Sequence, residues 1–153
     1  TEIYTLSLHD ALPIYLHPAL RTTFEGNHPS YTYSERLLGG VEMLARDIKF
    51  DPDTRRAFWP IFHPMDAIRS AEATRIPCSL GYQVMVRKLA QREVLMLFYL
   101  ERSCDFDTFW LSDLWLAHQF QKAIAKATGY QVGQLIHYVV SLHSFDVADQ
   151  EIY

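Results

Sequence analysis

Residues 75–105 read RIPCSLGYQVMVRKLAQREVLMLFYLERSCD, and this stretch decides the fold. Ser79–Arg87 alternates apolar with other residues, which is typical of a strand with one buried face. Val94–Leu100 is apolar on both faces, which indicates a strand buried on both sides. The intervening Lys88–Gln91 is short enough for a hairpin. The stretch therefore predicts an antiparallel hairpin whose second strand is buried on both sides.

The flanking sequence predicts helices and further strands around this hairpin. Apolar residues at helical spacing follow Ser34, a candidate N-cap, and Gly129 provides a candidate helix stop. The expected elements are a helix over Glu35–Lys49, an edge or bent strand over Arg55–Phe62, a loop over 63–76, a helix over Asp113–Thr128, a strand over Gln134–His143 and a helix beginning near Asp146. Helices interspersed with an antiparallel hairpin favour the α+β class.

Length and composition fit one soluble globular domain. The chain has 153 residues, of which 49% are hydrophobic and 21% charged, so a sizeable core is possible. The net charge of −4 gives no general affinity for nucleic acid or a membrane surface. Two cysteines make no disulfide framework, and thiols fit a reducing cytoplasm. Neither a zinc-type ligand spacing nor a phosphate-binding glycine loop is present.

The first residues differ in character from the rest. Glu2–Ile14 resembles the translation of a sequencing-adapter oligonucleotide, a contaminant at the ends of assembled metagenomic reads. We therefore predict residues 1–14 to be an artefact segment and residues 15–153 to be a partial domain, incomplete at both ends. On this interpretation the natural protein begins upstream, and the fragment by itself is expected to be inactive.

Three groups of residues could carry chemistry. Cys78 follows a proline at the mouth of a strand, where a thiol is either a small buried apolar group or a nucleophile activated by nearby arginines. Arg102 and Ser103 follow the next strand and form either an ordinary charged strand end or an anion site. Arg55 and Arg56 are either a solvated pair or a phosphate clamp, because guanidinium groups bind phosphate in a bidentate manner.

These segments, in this order, resemble the thymidylate synthase family, which includes the deoxycytidylate hydroxymethylases. The matching strings are DPDTRR at 51–56, RIPC at 75–78 and RSCD at 102–105, and the resemblance covers about residues 31–153. It implies a layered mixed sheet with flanking helices. It also implies one-carbon transfer from methylenetetrahydrofolate to carbon 5 of a pyrimidine deoxynucleotide monophosphate, in a cytoplasmic homodimer without a metal.

The resemblance implies a role for each matching residue. Cys78 would be the nucleophile that adds to carbon 6 of the pyrimidine, and Tyr33 would assist proton transfer. Arg102 and Ser103 would bind the substrate phosphate, together with Arg55 and Arg56 of the other subunit. Asp105 would contact the folate, and His143 the sugar 3′-hydroxyl. Cys104 would be structural. Three residues depart from the family pattern: Ser79 replaces a histidine, Phe145 replaces a tyrosine, and Asp113 replaces an asparagine.

Asp113 leaves the substrate open. The family has asparagine here, whose amide matches the uracil edge with one donor and one acceptor. An ionised carboxylate only accepts hydrogen bonds and suits the cytosine amino group better. Asp113 or Ser112 could instead cap the predicted helix. We therefore expect dUMP methylation to dTMP, with dCMP hydroxymethylation as the alternative. A degenerate nucleotide-binding or structural homologue, or more weakly a cysteine hydrolase, also stays open.

Overall fold

The computed structural model describes residues 33–68 and 76–145. Four helices and six strands lie within these ranges. The helices are α1 (Tyr33–Leu37), α2 (Gly40–Phe50), α3 (Pro64–Ile68) and α4 (Trp110–Thr128). The strands are β1 (Phe58–Pro60), β2 (Ser79–Leu89), β3 (Arg92–Glu101), β4 (Cys104–Asp105), β5 (Gln131–Val139) and β6 (Leu142–His143).

A mixed four-stranded sheet forms the frame of the molecule. Its strand order is β1-β2-β3-β5. The predicted hairpin is confirmed: β2 and β3 pair antiparallel over their full length, whereas β3 and β5 run parallel. Strands β4 and β6 continue β3 and β5 as a small parallel sheet. Helices on a mixed sheet confirm the α+β class.

One face of the sheet carries the hydrophobic core. Residues such as Tyr82, Val84, Leu97 and Tyr99 point from β2 and β3 toward α2 and α4 and are almost completely buried. The amphipathic helices supply the other half of the core, including Leu44, Ile48, Ala117, Phe120 and Ile124. The central strand β3 is buried along most of its length, as its unbroken apolar run predicts.

The single helix expected over Glu35–Lys49 is wrong, because it consists of two helices. Gly39 has φ 77°, a left-handed conformation that ends α1 and places α2 at a new angle. The adjacent Gly40 lets this helix approach its neighbours: a Cβ there would lie 3.0 Å from ring atoms of both Trp59 and Phe120. Gly39 therefore separates the two helices, and Gly40 allows close packing; neither glycine lies in the middle of one continuous helix.

Helix α4 begins at Trp110, three residues earlier than expected, after Phe109 at the N-cap position. Asp113 and Ser112 therefore lie inside the helix, and the interpretation of either as its N-cap is wrong. Gly129 ends the helix in the left-handed conformation, φ 85°, as predicted. The early start of α4 leaves the Asp113 side chain available to contact the sheet.

The remaining differences are in lengths and connections. The strand expected over Arg55–Phe62 is only the three-residue edge strand β1, and the predicted loop over 63–76 contains α3. The third long strand begins at Gln131 and is interrupted before β6. Ser34 lies within α1, so it is not an N-cap. The predictions for residues 1–32 and for a helix near Asp146 lie outside the described residues. None of the described helices is both long and apolar enough to cross a membrane.

Candidate active site

The Cys78 thiol lies against an arginine brought to it by the hairpin. The Arg102 side chain donates from Nε to the Pro77 carbonyl at 2.9 Å and from Nη2 to the Ile76 carbonyl at 3.2 Å. The same Nη2 lies 3.9 Å from Sγ of Cys78. Because β2 and β3 pair antiparallel, the start of one and the end of the other meet at this corner. The pairing of β2 with β3 thus brings two predicted site residues, Cys78 and Arg102, into contact.

Tyr33 joins this corner from α1. Its hydroxyl accepts hydrogen bonds from the amide nitrogens of Cys78 and Ser79, at 3.2 and 3.5 Å. Burial raises the pKa of Tyr33, so the phenol is neutral at physiological pH. The Ser79 hydroxyl lies 2.6 Å from the hydroxyl of Tyr99. Tyr33 from α1 and Arg102 after β3 therefore hold the backbone around Cys78, and we call Tyr33, Cys78 and Arg102 the thiol corner. The serine that replaces the family's histidine is a buried structural group.

Asp113 approaches the sheet close to a second carboxyl group, that of Glu101. One carboxylate oxygen of each and the Cys104 sulfur all lie within 4.8 Å of one another. We call Glu101, Cys104 and Asp113 the carboxyl cluster. Burial, followed by the negative charge of Glu101, raises the pKa of Asp113 to about 8. At pH 7 Asp113 therefore carries a proton, and the acceptor-only form assumed from the sequence is not the form present.

The sizes of the competing electrostatic effects support a protonated Asp113. Two like charges within 4.8 Å of each other repel by about 3.5 kcal/mol or more at an effective dielectric constant of about 20. The N-terminal end of α4 favours an ionised Asp113, but such helix-end effects contribute about 0.3–1 kcal/mol. Repulsion and burial therefore outweigh the helix, and one of the two carboxyls holds a proton.

Glu101 and His137 are site residues that the sequence interpretation missed. Glu101 is 1% exposed, and its Oε2 lies 2.9 Å from Nε2 of His137 on β5. The His137 ring stacks on Tyr99 with centroids 4.6 Å apart. A charged residue closing an otherwise apolar strand was a signal for Glu101. Nothing in the sequence indicated His137, because its position depends on the β3–β5 register.

The carboxyl cluster brings one thiol and two carboxyl groups within reach of one another. Burial and the charge of Glu101 raise the pKa of Cys104 to about 12, so the thiol is protonated at pH 7. The cluster therefore holds protons on more than one of its side chains.

Asp105 and His143 meet on the small sheet, where they are directly paired residues of β4 and β6. Oδ1 of Asp105 accepts the amide hydrogens of Asp107 and Thr108, which shapes the turn before α4. His143 contacts Phe145 edge to face at 4.9 Å. Ser103 is partly buried between β3 and β4. Ser103 and Asp105 therefore lie just after the end of β3, close in sequence to Glu101 and Arg102, and His143 lies just after the end of β5.

Arg55 and Arg56 are not brought to the thiol corner of this chain. They precede β1, in which Phe58 pairs with Gln83, so the antiparallel register places them toward the end of β2 remote from Cys78. Both are exposed, and their guanidinium groups form no hydrogen bond or ion pair with residues 33–68 or 76–145. Any contact between these arginines and a Cys78 site would need a second copy of the chain.

Comparison with known proteins agrees with this geometry. The family model described as thymidylate synthase matches residues 22–150. Among solved structures, thermostable thymidylate synthase A from Bacillus subtilis superposes with a TM-score of 0.54 and 24% sequence identity. The match covers 65% of this chain and 34% of that one, so the chain spans about a third of its length. No curated protein sequence matched the chain.

The structural likeness, at this identity, establishes the fold, and the family match extends over most of the sequence. It includes every residue of the thiol corner and of the carboxyl cluster. The chain is a member of the thymidylate synthase family.

Proposed function

We propose that the protein transfers a one-carbon unit from methylenetetrahydrofolate to carbon 5 of a pyrimidine deoxynucleotide monophosphate. The substrate we favour is dUMP, which would be methylated to dTMP, with the tetrahydrofolate supplying the hydride that reduces the one-carbon unit to a methyl group and leaving as dihydrofolate. The observation that carries the proposal is the contact between the Cys78 sulfur and the Arg102 guanidinium, which are 3.9 Å apart. The Tyr33 hydroxyl accepts a hydrogen bond from the Cys78 amide at the same place. An arginine close to a thiol favours the thiolate, which is the nucleophilic form.

Each side chain has a defined task in this reaction. The Cys78 thiolate adds to carbon 6 of the pyrimidine, and the electron pair of the 5,6 double bond then makes carbon 5 nucleophilic. Arg102 stabilises the thiolate and positions its peptide. Tyr33, a neutral phenol within hydrogen-bonding distance of the Cys78 amide, is placed to donate or accept a proton near carbon 5.

Substrate phosphate binding is proposed for Arg102 and Ser103, with Arg55 and Arg56 supplied by a second copy. The Nη1 group of Arg102 donates to no other group in residues 33–68 or 76–145, so it can still bind an anion. The two exposed arginines have guanidinium groups suited to phosphate. His143 is proposed to bond the sugar 3′-hydroxyl.

The folate site is proposed beside Asp105. A shallow cavity of about 310 Å³ lies there, lined by Phe106, Leu142, His143 and Ser144. Phe106 stacks on Trp110 with ring centroids 4.9 Å apart, and an apolar wall with a few polar groups suits a flat ring system. Bound methylenetetrahydrofolate supplies the one-carbon unit, while Asp105 and this wall would bind and orient it.

A homodimer is proposed because the sheet face opposite the core is rich in apolar side chains that the described helices do not cover. Phe58, Ile136 and Tyr138 on this face are 39%, 37% and 63% exposed. We call Phe58, Phe98, Ile136 and Tyr138 the outer face; Phe98 pairs directly with Ile136. A second copy packed on it would cover these side chains and bring another chain's arginines near.

Hydroxymethylation of dCMP is the second candidate, and Asp113 favours it. An asparagine is expected at this position in an enzyme acting on uracil, whereas a carboxyl group pairs readily with the cytosine amino group. A third candidate is a degenerate homologue that binds the nucleotide without reacting, because Ser79 and Phe145 replace polar family residues.

The decisive experiment is covalent trapping with 5-fluoro-dUMP and methylenetetrahydrofolate. Fluorine on carbon 5 cannot leave as a cation, so the proposed mechanism stops at an adduct on Cys78. We expect mass spectrometry of the gene product containing this chain to detect that adduct. Cys78→Ser should abolish it, and Cys104→Ser should retain it.

The outcomes separate the three candidates. Nucleotide binding without an adduct would support the degenerate homologue and reject the enzyme. Where the adduct forms, tritium release from labelled dUMP and dCMP distinguishes the substrates. An unchanged substrate preference in Asp113→Asn would remove Asp113 from the argument.

A further inference from the structure

Glu101 is held in place at the end of β3 with one oxygen satisfied and the other not. Its Oε2 lies 2.9 Å from His137 Nε2. Its Oε1 is buried and has no hydrogen-bond partner in residues 33–68 or 76–145. Buried polar oxygens are rarely left without a partner. A carboxylate oxygen of Asp113 lies within 4.8 Å of a Glu101 carboxylate oxygen, so a protonated Asp113 is close enough to share its hydrogen with Glu101.

Among residues 33–68 and 76–145, no cationic side chain forms an ion pair with Asp113. Tyr33 from α1, Tyr99 from β3 and Cys104 from β4 are neutral at physiological pH, because burial raises the pKa of each. His137 from β5 contacts Glu101. The guanidinium of Arg102 is directed to the Pro77 and Ile76 carbonyls and the Cys78 sulfur.

We propose that Glu101 is a positioning residue that keeps the Asp113 carboxyl protonated, so that Asp113 presents one donor and one acceptor to the base of the nucleotide. This inference rests on the proposed function. A neutral carboxyl imitates the amide that the family has at this position. Glu101 would therefore act through Asp113, without touching the substrate itself.

The proposal changes what Asp113 implies about the base. A protonated carboxyl can donate to uracil O4 while accepting from N3–H. It can equally donate to cytosine N3 while accepting from the amino group. An ionised carboxylate makes only one of the two contacts with either base and repels the other acceptor. Both nucleotides should therefore lose affinity when Asp113 ionises. The pKa of about 8 for Asp113 places that loss just above neutrality.

The first test is independent of any ligand. Carboxyl carbons of the 153-residue chain would be followed by ¹³C NMR from pH 4 to 10, with Asp113→Asn used to assign the signal. We expect Asp113 to titrate above pH 7, and Glu101→Gln to lower its midpoint by at least one pH unit. Asp107→Asn, which removes an exposed carboxyl on the turn before α4, should leave the midpoint unchanged.

The order of titration keeps this test decisive if Glu101→Gln does not fold. We expect Glu101 to lose its proton first, while Asp113 is still neutral, so the neutral substitution Asp113→Asn should leave the Glu101 midpoint nearly unchanged. A midpoint of Asp113 below pH 5 in the unaltered chain would overturn the proposal. So would an Asp113 midpoint that does not respond to Glu101→Gln.

The second test measures binding of dUMP and of dCMP by calorimetry between pH 7 and 9, above the second phosphate ionisation. We expect both affinities to fall toward tenfold per pH unit above the Asp113 midpoint. The fall should start at lower pH in Glu101→Gln and disappear in Asp113→Asn. Binding with no such dependence in the unaltered chain would overturn the donor role. If neither nucleotide binds, the proposed function fails, while the NMR titration still decides whether the proton is held.

Discussion

At the scale of single residues, the two cysteines show how surroundings decide chemistry. Cys78 is partly buried, and its sulfur lies 3.9 Å from the Arg102 guanidinium. Cys104 is 2% exposed and lies beside Glu101 and Asp113. Burial and the charge of Glu101 raise the Cys104 pKa to about 12, so its thiolate is scarce. Only the structure shows that one thiol lies beside a cation and the other beside two carboxyl groups.

We predict that iodoacetamide alkylates Cys78 at least ten times faster than Cys104 in the folded chain at pH 7.5, because the thiolate is the reacting form. Peptide mass spectrometry of time points would measure both rates. Arg102→Met should slow the Cys78 reaction, and in concentrated denaturant the two rates should converge. Equal rates in the folded chain would contradict this account of the thiol corner.

At the scale of elements, Gln121 on α4 joins the helix to the parallel strand pair. Its side chain is completely buried, and Nε2 donates to the carbonyls of Leu95, Gly133 and Gln134 at 2.9–3.2 Å. The β3–β5 register shifts between Leu95 and Leu97. The glutamine amide therefore bonds to backbone carbonyls of both strands beside the irregularity.

We predict that Gln121→Leu destabilises the chain by about 1–3 kcal/mol, because the substitution leaves buried carbonyls without donors. Urea unfolding followed by circular dichroism would measure the change. Gln119→Leu serves as the matched control, since the Gln119 side chain bonds only to the exposed Lys122 among the described residues. A loss of equal size in both variants would show that the buried amide has no special role.

The helices also show where sequence patterns fail. Apolar spacing correctly predicted helical structure on both sides of Gly39, but the spacing continues across the break. The left-handed backbone of Gly39 and the contact of Gly40 with Trp59 and Phe120 depend on how α2 crosses α4 and β1. Local propensity therefore predicted that helix would form, and packing decided where it had to stop.

At the scale of the whole molecule, the sheet is covered on one side by helices and has the apolar outer face on the other. We predict that the chain forms dimers through this face. Tyr138→Glu should shift sedimentation velocity profiles toward the monomer, because a charge would be buried without a partner. Leu111→Glu, at a 72% exposed position on α4, is the matched control. A chain that sediments as a monomer at every concentration would refute the packing proposed here.

The raised pKa of Asp113 also affects global stability. Its value is 3.8 in the absence of burial and about 8 in the folded chain. Between these values the folded state binds more protons than the unfolded state, so stability falls as pH rises. The contribution is complete below about pH 4 and lost by pH 8. The slope is at most about 1.4 kcal/mol per pH unit for one proton.

We therefore predict that the free energy of unfolding decreases from pH 5 to pH 8 and that Asp113→Asn flattens this dependence. Urea titrations at half-unit pH steps would measure it, with Asp107→Asn as the control for an exposed carboxyl. A dependence that is the same in all three proteins would show that other groups determine it.

The sequence by itself determined the hairpin, the α+β class, the C-terminal stop of α4 at Gly129 and the family. These features depend on local periodicity, on turn chemistry and on short ordered motifs such as DPDTRR, RIPC and RSCD, all of which can be recognised along the chain. It also identified Cys78, Arg102 and Tyr33 as candidate site residues. The contacts among them could not be predicted, because they depend on the folded chain, including the pairing of β2 with β3.

Only the tertiary structure decided the protonation state of Asp113 and the presence of Glu101 and His137 beside it. His137 lies 36 residues from Glu101 in the sequence, and a parallel register brings them together. A pKa depends on burial and on neighbouring charges, and both are properties of the assembled fold. The sequence therefore determined which groups are available for chemistry, and the packing of β3, β5 and α4 decided which of them carry a proton.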